Sequence, residues 1–339
     1  MTTESAGDPV RSARRARRGR TPLSAVLALV LAACGGESGG EEPAQSLTLY
    51  TCLSDESIQP VIAAFEARDD GGHVDLFRAP TGEVNARVAA DARSGGLKAD
   101  VIWGCDPLTV QAFVDQDLVG GWTPPDADAI PEEFRTDDYV GAHVLYMVAV
   151  YRTDVPAPDS WADLTGGDYE TLAVPDPRVA ASALGTLGWF AAEPQYGVGF
   201  YGDLKSHGAV QVKTPDDVTT GVAQGLYDAG ITTANSAYAA KSDGSPVDVV
   251  WPEPGAVAIY GPVALATHSR GSDVAKSFIS FVVGADGQKV LADSGAYPTL
   301  PDVGGPTVPD GAPIVSPDWA AIGAKKDAIL AEYQQVFGG

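Results

Sequence analysis

Apolar positions along the chain alternate between short β-type runs and helical stripes. Leu47-Thr48-Leu49-Tyr50-Thr51 is a β-rich run, and Ile58, Val61, Ile62 and Phe65 follow at i, i+3, i+4, i+7 spacing, which predicts a helix with one buried face. Pro60 lies within that stretch, so the helix is expected to begin just before it and to hold the proline in its first turn, where a missing N–H costs little. Residues 73–77 read as a strand, Thr81-Gly82-Glu83 opens a helix to about Arg93, residues 99–103 form a second apolar strand, and residues 107–118 a helix. This β-α-β-α order predicts a largely parallel sheet.

The pattern returns further along. Residues 171–174 read as a strand, 182–192 as a helix and 210–213 as a strand. A helix is predicted over 215–229 with Val218, Val222 and Leu226 on one face, and 247–251 is a further strand. Two β-rich stretches, 142–151 and 256–267, lie between and after the blocks, and helices are predicted over 272–281, continuing toward Asp293, and over 317–336. The chain therefore predicts an α/β molecule of two lobes, with two mixed sheets flanked by helices and a hinge of two crossing β segments. Residues 46–145 and 258–339 are assigned to lobe 1, and residues 146–257 to lobe 2.

Ahead of this body stands a leader. Arg11, Arg14, Arg15, Arg17, Arg18 and Arg20 make a basic start, and residues 23–33 form an apolar stretch too short to span a bilayer as a helix. It ends Leu31-Ala32-Ala33-Cys34, which resembles the bacterial lipobox; the resemblance implies cleavage before Cys34 and a lipid on that cysteine. Residues 1–33 are thus expected to be a lipoprotein signal peptide, and the Gly- and Glu-rich residues 34–45 a flexible tether. The mature protein would be held at the outer face of the cytoplasmic membrane; the export route, Sec or twin-arginine, is left open by the arginine pairs.

Charge narrows the partners. The whole chain carries 22 basic and 45 acidic residues; without the six Arg and two acids of the leader, 16 basic face 43 acidic, a net charge of −27. A chain this acidic repels nucleic acid. With Cys34 lipidated, Cys52 and Cys105 remain, an even pair in an oxidising compartment. The four histidines show no metal-ligand spacing, and no nucleophile elbow, His-Glu-x-x-His or phosphate loop is present. No metal and no cofactor is expected, and no catalytic residue is assigned.

In parallel α/β sheets ligands bind beyond the carboxyl ends of strands, beside helix N-termini that offer free N–H groups. Five segments fit: Thr51-Cys52-Leu53-Ser54; Ala79-Pro80-Thr81-Gly82-Glu83; Gly104-Cys105-Asp106; the stretch from Pro175-Asp176-Pro177 to Ser182 and Thr186; and Thr232 to Tyr238. A Ser or Thr at a helix start is more often a simple N-cap, and the acids are as readily surface acids. The ligand-binding candidates are Thr51, Ser54, Thr81, Gly82, Glu83, Asp106, Ser182, Thr186, Asn235 and Tyr238.

The ordered set Leu47-Thr48-Leu49-Tyr50, Thr81-Gly82-Glu83, Ala99-Asp100-Val101-Ile102-Trp103, Ser160-Trp161-Ala162-Asp163-Leu164, Asp176-Pro177, Pro246-Val247-Asp248-Val249-Val250 and Gly295-Ala296-Tyr297-Pro298 resembles the extracellular solute-binding proteins of ABC importers, in particular the ferric-iron and 2-aminoethylphosphonate branch. The resemblance covers roughly residues 46 to 300 and implies a type 2 periplasmic-binding-protein fold. It further implies a small-molecule ligand in the interlobe cleft, hinge closure, and delivery by a monomer to a membrane permease with its ATPase. Where ferric members place a His, a Glu and a Tyr pair, this chain has Ser54, Cys105 with Asp106, and Ala234-Asn235-Ser236-Ala237-Tyr238 with a single Tyr. Ferric ion requires several anionic oxygens, so a phosphonate or another small anion or zwitterion is the favoured ligand. Iron or an iron complex is the alternative, and an extracellular sensor or enzyme the alternative from another class. In this layout Cys52 and Cys105 both follow first-lobe strands at the ligand edge, and a disulfide that stiffens the rim is expected.

Overall fold

The structure is a computed structural model and describes residues 45–338; the expected signal peptide, Cys34 and the expected tether up to residue 44 lie outside the described residues. The first block runs β1 (Ser46–Thr51), α1 (Asp55–Glu66), β2 (His73–Arg78), α2 (Thr81–Arg93), β3 (Val101–Trp103) and α3 (Pro107–Val114). A long strand, β4 (Val140–Arg152), leads to the second block. That block comprises β5 (Leu172–Pro175), α4 (Ala181–Ala192), α5 (Gly199–Ser206), β6 (Ala209–Val212), α6 (Pro215–Ala223), β7 (Ala229–Thr233), α7 (Ala234–Ser242) and β8 (Val247–Val250). A second long strand, β9 (Ala256–Leu265), returns the chain to α8 (Asp273–Val283), α9 (Ala285–Asp293), β10 (Tyr297–Pro298), β11 (Ile314–Val315) and α10 (Trp319–Phe337).

The two expected sheets are the two ends of one ladder, in the order β2-β1-β3-β9-β4-β7-β5-β6. At one end β1 pairs with β2 and β3 in parallel, and at the other β5 pairs with β6 and β7 in parallel. Between them β9 and β4 pair antiparallel over residues 140–147 of β4, and these two strands are the crossing segments. Each end of the sheet is buried on both faces, as parallel strands require. In the first lobe, α1, α8 and α9 bury Ile58, Phe65, Phe278 and Leu291 on one face, and α2 and α3 bury Val84, Val88 and Val110 on the other. In the second, α4, α5 and α10 cover one face and α6 and α7 the other.

Three sequence readings change. The first helix starts at Asp55, so Pro60 is its sixth residue, beyond the first turn; it sits on the exposed side and forfeits a bond to the Glu56 carbonyl, while Ile58, Val61, Ile62 and Phe65 keep the helix on the core. The helix predicted over 215–229 stops at Ala223. Leu226 N–H donates to Gly221 O (2.8 Å), Gly225 N–H donates to Val222 O (3.0 Å), and Gly225 takes φ +72°, a Schellman ending that turns Leu226 to solvent and lets β7 begin at Ala229. Third, α10, placed with lobe 1, packs on α4 and α5 of the second lobe. Ile329 and Tyr333 join the cluster of Leu187 and Phe190, and Gly188 gives α10 room, since a Cβ there would stand 2.5 Å from Ile322.

Candidate ligand-binding cleft

Six strands end at one place. Thr51, Arg78 and Trp103 close β1, β2 and β3, and Pro175, Val212 and Thr233 close β5, β6 and β7; the connections that follow line a single cavity of about 100 Å³. The first lobe contributes Cys52 to Ser54, Ser57, Arg78, Pro80, Thr81 and Cys105. The second contributes Ala180 to Ser182, Thr214 to Asp216, Thr233 and Asn235, and His143 to Leu145 of β4 provide the crossing strand's share.

Helix starts dominate this wall. The N-cap residues of α1 (Ser54), α2 (Pro80), α4 (Ala180) and α7 (Thr233) all line the cavity, and none makes a side-chain cap. A fifth helix start in the wall, that of α6, is capped by Thr214, and away from the cavity α3, α8 and α10 are capped by Asp106, Ser272 and Asp318. Missing caps are not confined to the cavity, because α5 and α9 begin on Val198 and Gly284; the convergence of four on one space is what sets it apart. The positive ends of four helix dipoles therefore meet there, a field suited to an anion, although the Gly82 N–H of α2 is already taken by Val179 O. Arg78 adds the one full positive charge among the lining residues, its Nε–H donating to Leu53 O at 2.7 Å. Opposite stands Asp216, at the start of α6. Burial raises its carboxyl above the ordinary value, and Ser236 and Arg78 pull against that shift.

Two further lining groups carry open hydrogen-bonding atoms. His143 is 2% exposed, its Nδ1 accepts from Trp103 Nε1–H (3.1 Å), and its Nε2 has no partner. Burial lowers its pKa to about 4, so the ring is neutral near pH 7. Asn235 Oδ1 is likewise buried without a partner. The Cys52 and Cys105 sulfurs are bonded at 2.10 Å, tying the ends of β1 and β3 together in the cavity wall.

Of the ten ligand candidates, Ser54, Thr81, Ser182 and Asn235 line the cavity. The other six have structural employment. Thr51 is buried, donates to Trp103 O (2.9 Å) and receives Leu53 N–H; Thr186 donates to Ser182 O within α4. Asp106 caps α3 through Thr109 N–H (2.8 Å), and Tyr238 accepts the Trp251 indole N–H (3.0 Å). Gly82 and Glu83 join the lobes: Gly82 N–H donates to Val179 O (3.0 Å) and Glu83 pairs with Lys213 (2.7 Å). Sequence reasoning missed Arg78, Asp216, Ser57 and His143. Arg78 is the last residue of β2, so the strand-end rule that selected Thr51 would have found it; Asp216 looks like an ordinary first-turn acid, and no local pattern marks His143.

Two α/β lobes on crossing strands, with a cavity at the facing strand ends and helix N-termini, define a type 2 periplasmic-binding-protein fold. Residues 47–296 match the model of the bacterial extracellular solute-binding proteins, and the chain belongs to that family, whose members serve ABC importers. Its similarity to the spermidine/putrescine-binding periplasmic protein of Escherichia coli K12 is 27% identity over 244 residues, 66% of this chain and 70% of that protein. Among solved structures it is similar to the periplasmic binding protein AfuA of Actinobacillus pleuropneumoniae, solved with fructose-6-phosphate (TM-score 0.78, 17% identity, 87% of this chain and 99% of that one). It is also similar to the apo ferric ion-binding protein A of Pasteurella haemolytica (TM-score 0.73, 20% identity, 86% and 98%). These relatives are binding proteins and not enzymes.

Proposed function

We propose that the protein captures a small solute with an anionic head group, a phosphonate, phosphate ester or related zwitterion, and delivers it to an ABC permease. The observation that carries this reading is the meeting of four uncapped helix N-termini with Arg78 in one cavity. Backbone N–H groups and a guanidinium supply the donors an oxyanion needs. Asp216 and Asn235 line the same space and carry acceptors suited to an ammonium or hydroxyl elsewhere on the ligand. Of the ligands named for the relatives, the fructose-6-phosphate of AfuA is of this class, and the other two fit less well. A polyamine carries several positive charges, and Asp216 is the single carboxylate of the lining, beside a guanidinium. Ferric ion calls for several anionic oxygens, and among the described residues no group of three or more His, Cys, Asp or Glu converges.

In this reading the protein works as a monomer, tethered through lipid on Cys34 so that it stays near its permease at the outer face of the membrane. A Cys34→Ala protein would then be found in the medium or soluble periplasm instead of the membrane fraction. The ligand class is tested by a thermal-shift screen of methylphosphonate, 2-aminoethylphosphonate, sugar phosphates, putrescine and ferric citrate, with calorimetry on every hit. A true ligand at a hundred times its Kd stabilises the protein by about 2.7 kcal/mol. Anions are expected to raise the melting temperature; a response to putrescine or ferric ion alone would overturn the assignment.

A further inference from the structure

His143 occupies a prepared seat. β4 and β9 slip register between Gly141 and His143, the signature of a bulge, which re-aims side chains. Two buried side chains hold that irregularity: Gln288 Nε2–H donates to Ala142 O (2.7 Å) and Thr299 Oγ1–H donates to Gly141 O (2.7 Å). Across the ladder His143 faces Gly261, where a Cβ would stand 2.0 Å from Cε1 and 2.6 Å from Nε2, so only glycine lets the ring lie there. The Trp103 indole has a single N–H and nothing to accept with, so the Nδ1 it bonds must be the unprotonated nitrogen, and the neutral ring carries its proton on Nε2. That Nε2 is buried without a partner in a residue that lines the cavity. Buried polar groups left open in this way are uncommon and call for an explanation.

We propose that His143 is a ligand-binding residue whose neutral Nε2–H donates to an acceptor atom of the solute, with Trp103 acting as a positioning residue that fixes the tautomer. This rests on the anion reading for its choice of probes, but concerns a group that no charge argument selects. Because the donor is neutral, it rewards an oxygen without adding a second positive charge beside Arg78. Since β4 crosses between the lobes, a ligand held by His143 sits where both lobes meet it.

The test is long-range 1H–15N correlation on histidine-labelled protein, with His143 assigned by its loss in His143→Phe, before and after addition of inorganic phosphate, methylphosphonate or glycerol 3-phosphate. The free protein is expected to show the Nε2–H tautomer alone at pH 7, and a probe that binds by calorimetry is expected to shift that nitrogen. Trp103→Phe should yield a mixture of tautomers. His143→Phe, which keeps ring volume, should weaken the same probe by roughly tenfold or more, with circular dichroism checking that it remains folded. An Nδ1–H tautomer in the free protein overturns the proposal. So does a bound probe that leaves Nε2 unmoved, which would mean that water alone satisfies it, while the anion reading survives. If no anion binds, the anion reading falls and the tautomer alone decides whether His143 offers the cavity a donor.

Discussion

Arg78 and His143 bring different physics to the same cavity. Arg78 is a fixed cation on an otherwise acidic protein, oriented by the Leu53 carbonyl and facing the starts of α1, α2, α4 and α7. A hydrogen bond to a charged partner contributes about 1.5–3 kcal/mol, so Arg78→Met is expected to weaken an anionic ligand by roughly ten- to a hundredfold in calorimetry, with little change in melting temperature without ligand. His143 affects stability instead. Its value of about 4 in the folded chain lies below the ordinary 6.5, because burial penalises the charged ring. Between those two pH values the unfolded chain takes up a proton that the folded chain refuses, so stability falls as pH drops from about 6.5 toward 4 and no further loss from this group follows below that. Denaturant melts across that range should show His143→Phe with the shallower acid limb, flatter by at most about 3 kcal/mol in total; identical slopes would mean the ring is not buried as the structure has it. At this scale the sequence was partly legible. Ser54, Thr81, Ser182 and Asn235 follow strand ends in the chain itself, so local pattern reaches them. His143 depends on Trp103, Gly261, Gln288 and Thr299, partners 40 to 156 positions away that no window along the chain contains.

The elements explain why those residues meet. Alternating strands and helices were readable because each stripe, such as Ile58, Val61, Ile62 and Phe65, buries one face whatever surrounds it. Endings were less readable, since β7 appears where a Schellman ending halts α6, and that depends on Gly225 entering φ +72°. The placement of α10 was illegible for another reason: its apolar positions say that one face is buried, and only the room at Gly188 says against which helix. The Cys52–Cys105 bond links two such endings, joining the exits of β1 and β3 across a sequence separation of 53. Closing a loop of that length removes about 4 kcal/mol of unfolded-chain entropy in the simplest model. The double substitution Cys52→Ala, Cys105→Ala should therefore lower unfolding free energy by about 2–4 kcal/mol in urea melts. Because both residues line the cavity, it should also weaken ligand binding, whereas a stability loss with unchanged affinity would confine the bond to a structural role.

At the scale of the molecule, the strands β4 and β9 connect two separately cored lobes, and the ligand face is crossed by contacts that do not involve any ligand. Gly82 N–H to Val179 O and the Glu83–Lys213 pair bind the start of α2 to the second lobe beside the cavity. Any open form must break both, so they bias the lobes toward closure before ligand arrives. That bias has to be small, or the cavity would admit nothing. The numbers agree: the ion pair is solvent-exposed on both sides, which limits it to about 0.2–1 kcal/mol, and one backbone hydrogen bond adds a net amount of about 1 kcal/mol. In the proposed cycle, a ligand that touches both lobes would supply the rest by binding the closed form preferentially. Lys213→Glu would set two carboxylates against each other at this contact. We expect small-angle scattering of the ligand-free protein to show a larger radius of gyration, and apparent affinity to fall about two- to fivefold, the cost of populating the closed form less often. Reversing both charges, Glu83→Lys with Lys213→Glu, should restore both values, and raising the salt concentration should shrink the difference between single variant and wild type. An unchanged scattering profile together with an unchanged affinity would show that this contact plays no part in closure, leaving the Gly82–Val179 bond, the packing of α10 on α3 and the ligand to hold the lobes together.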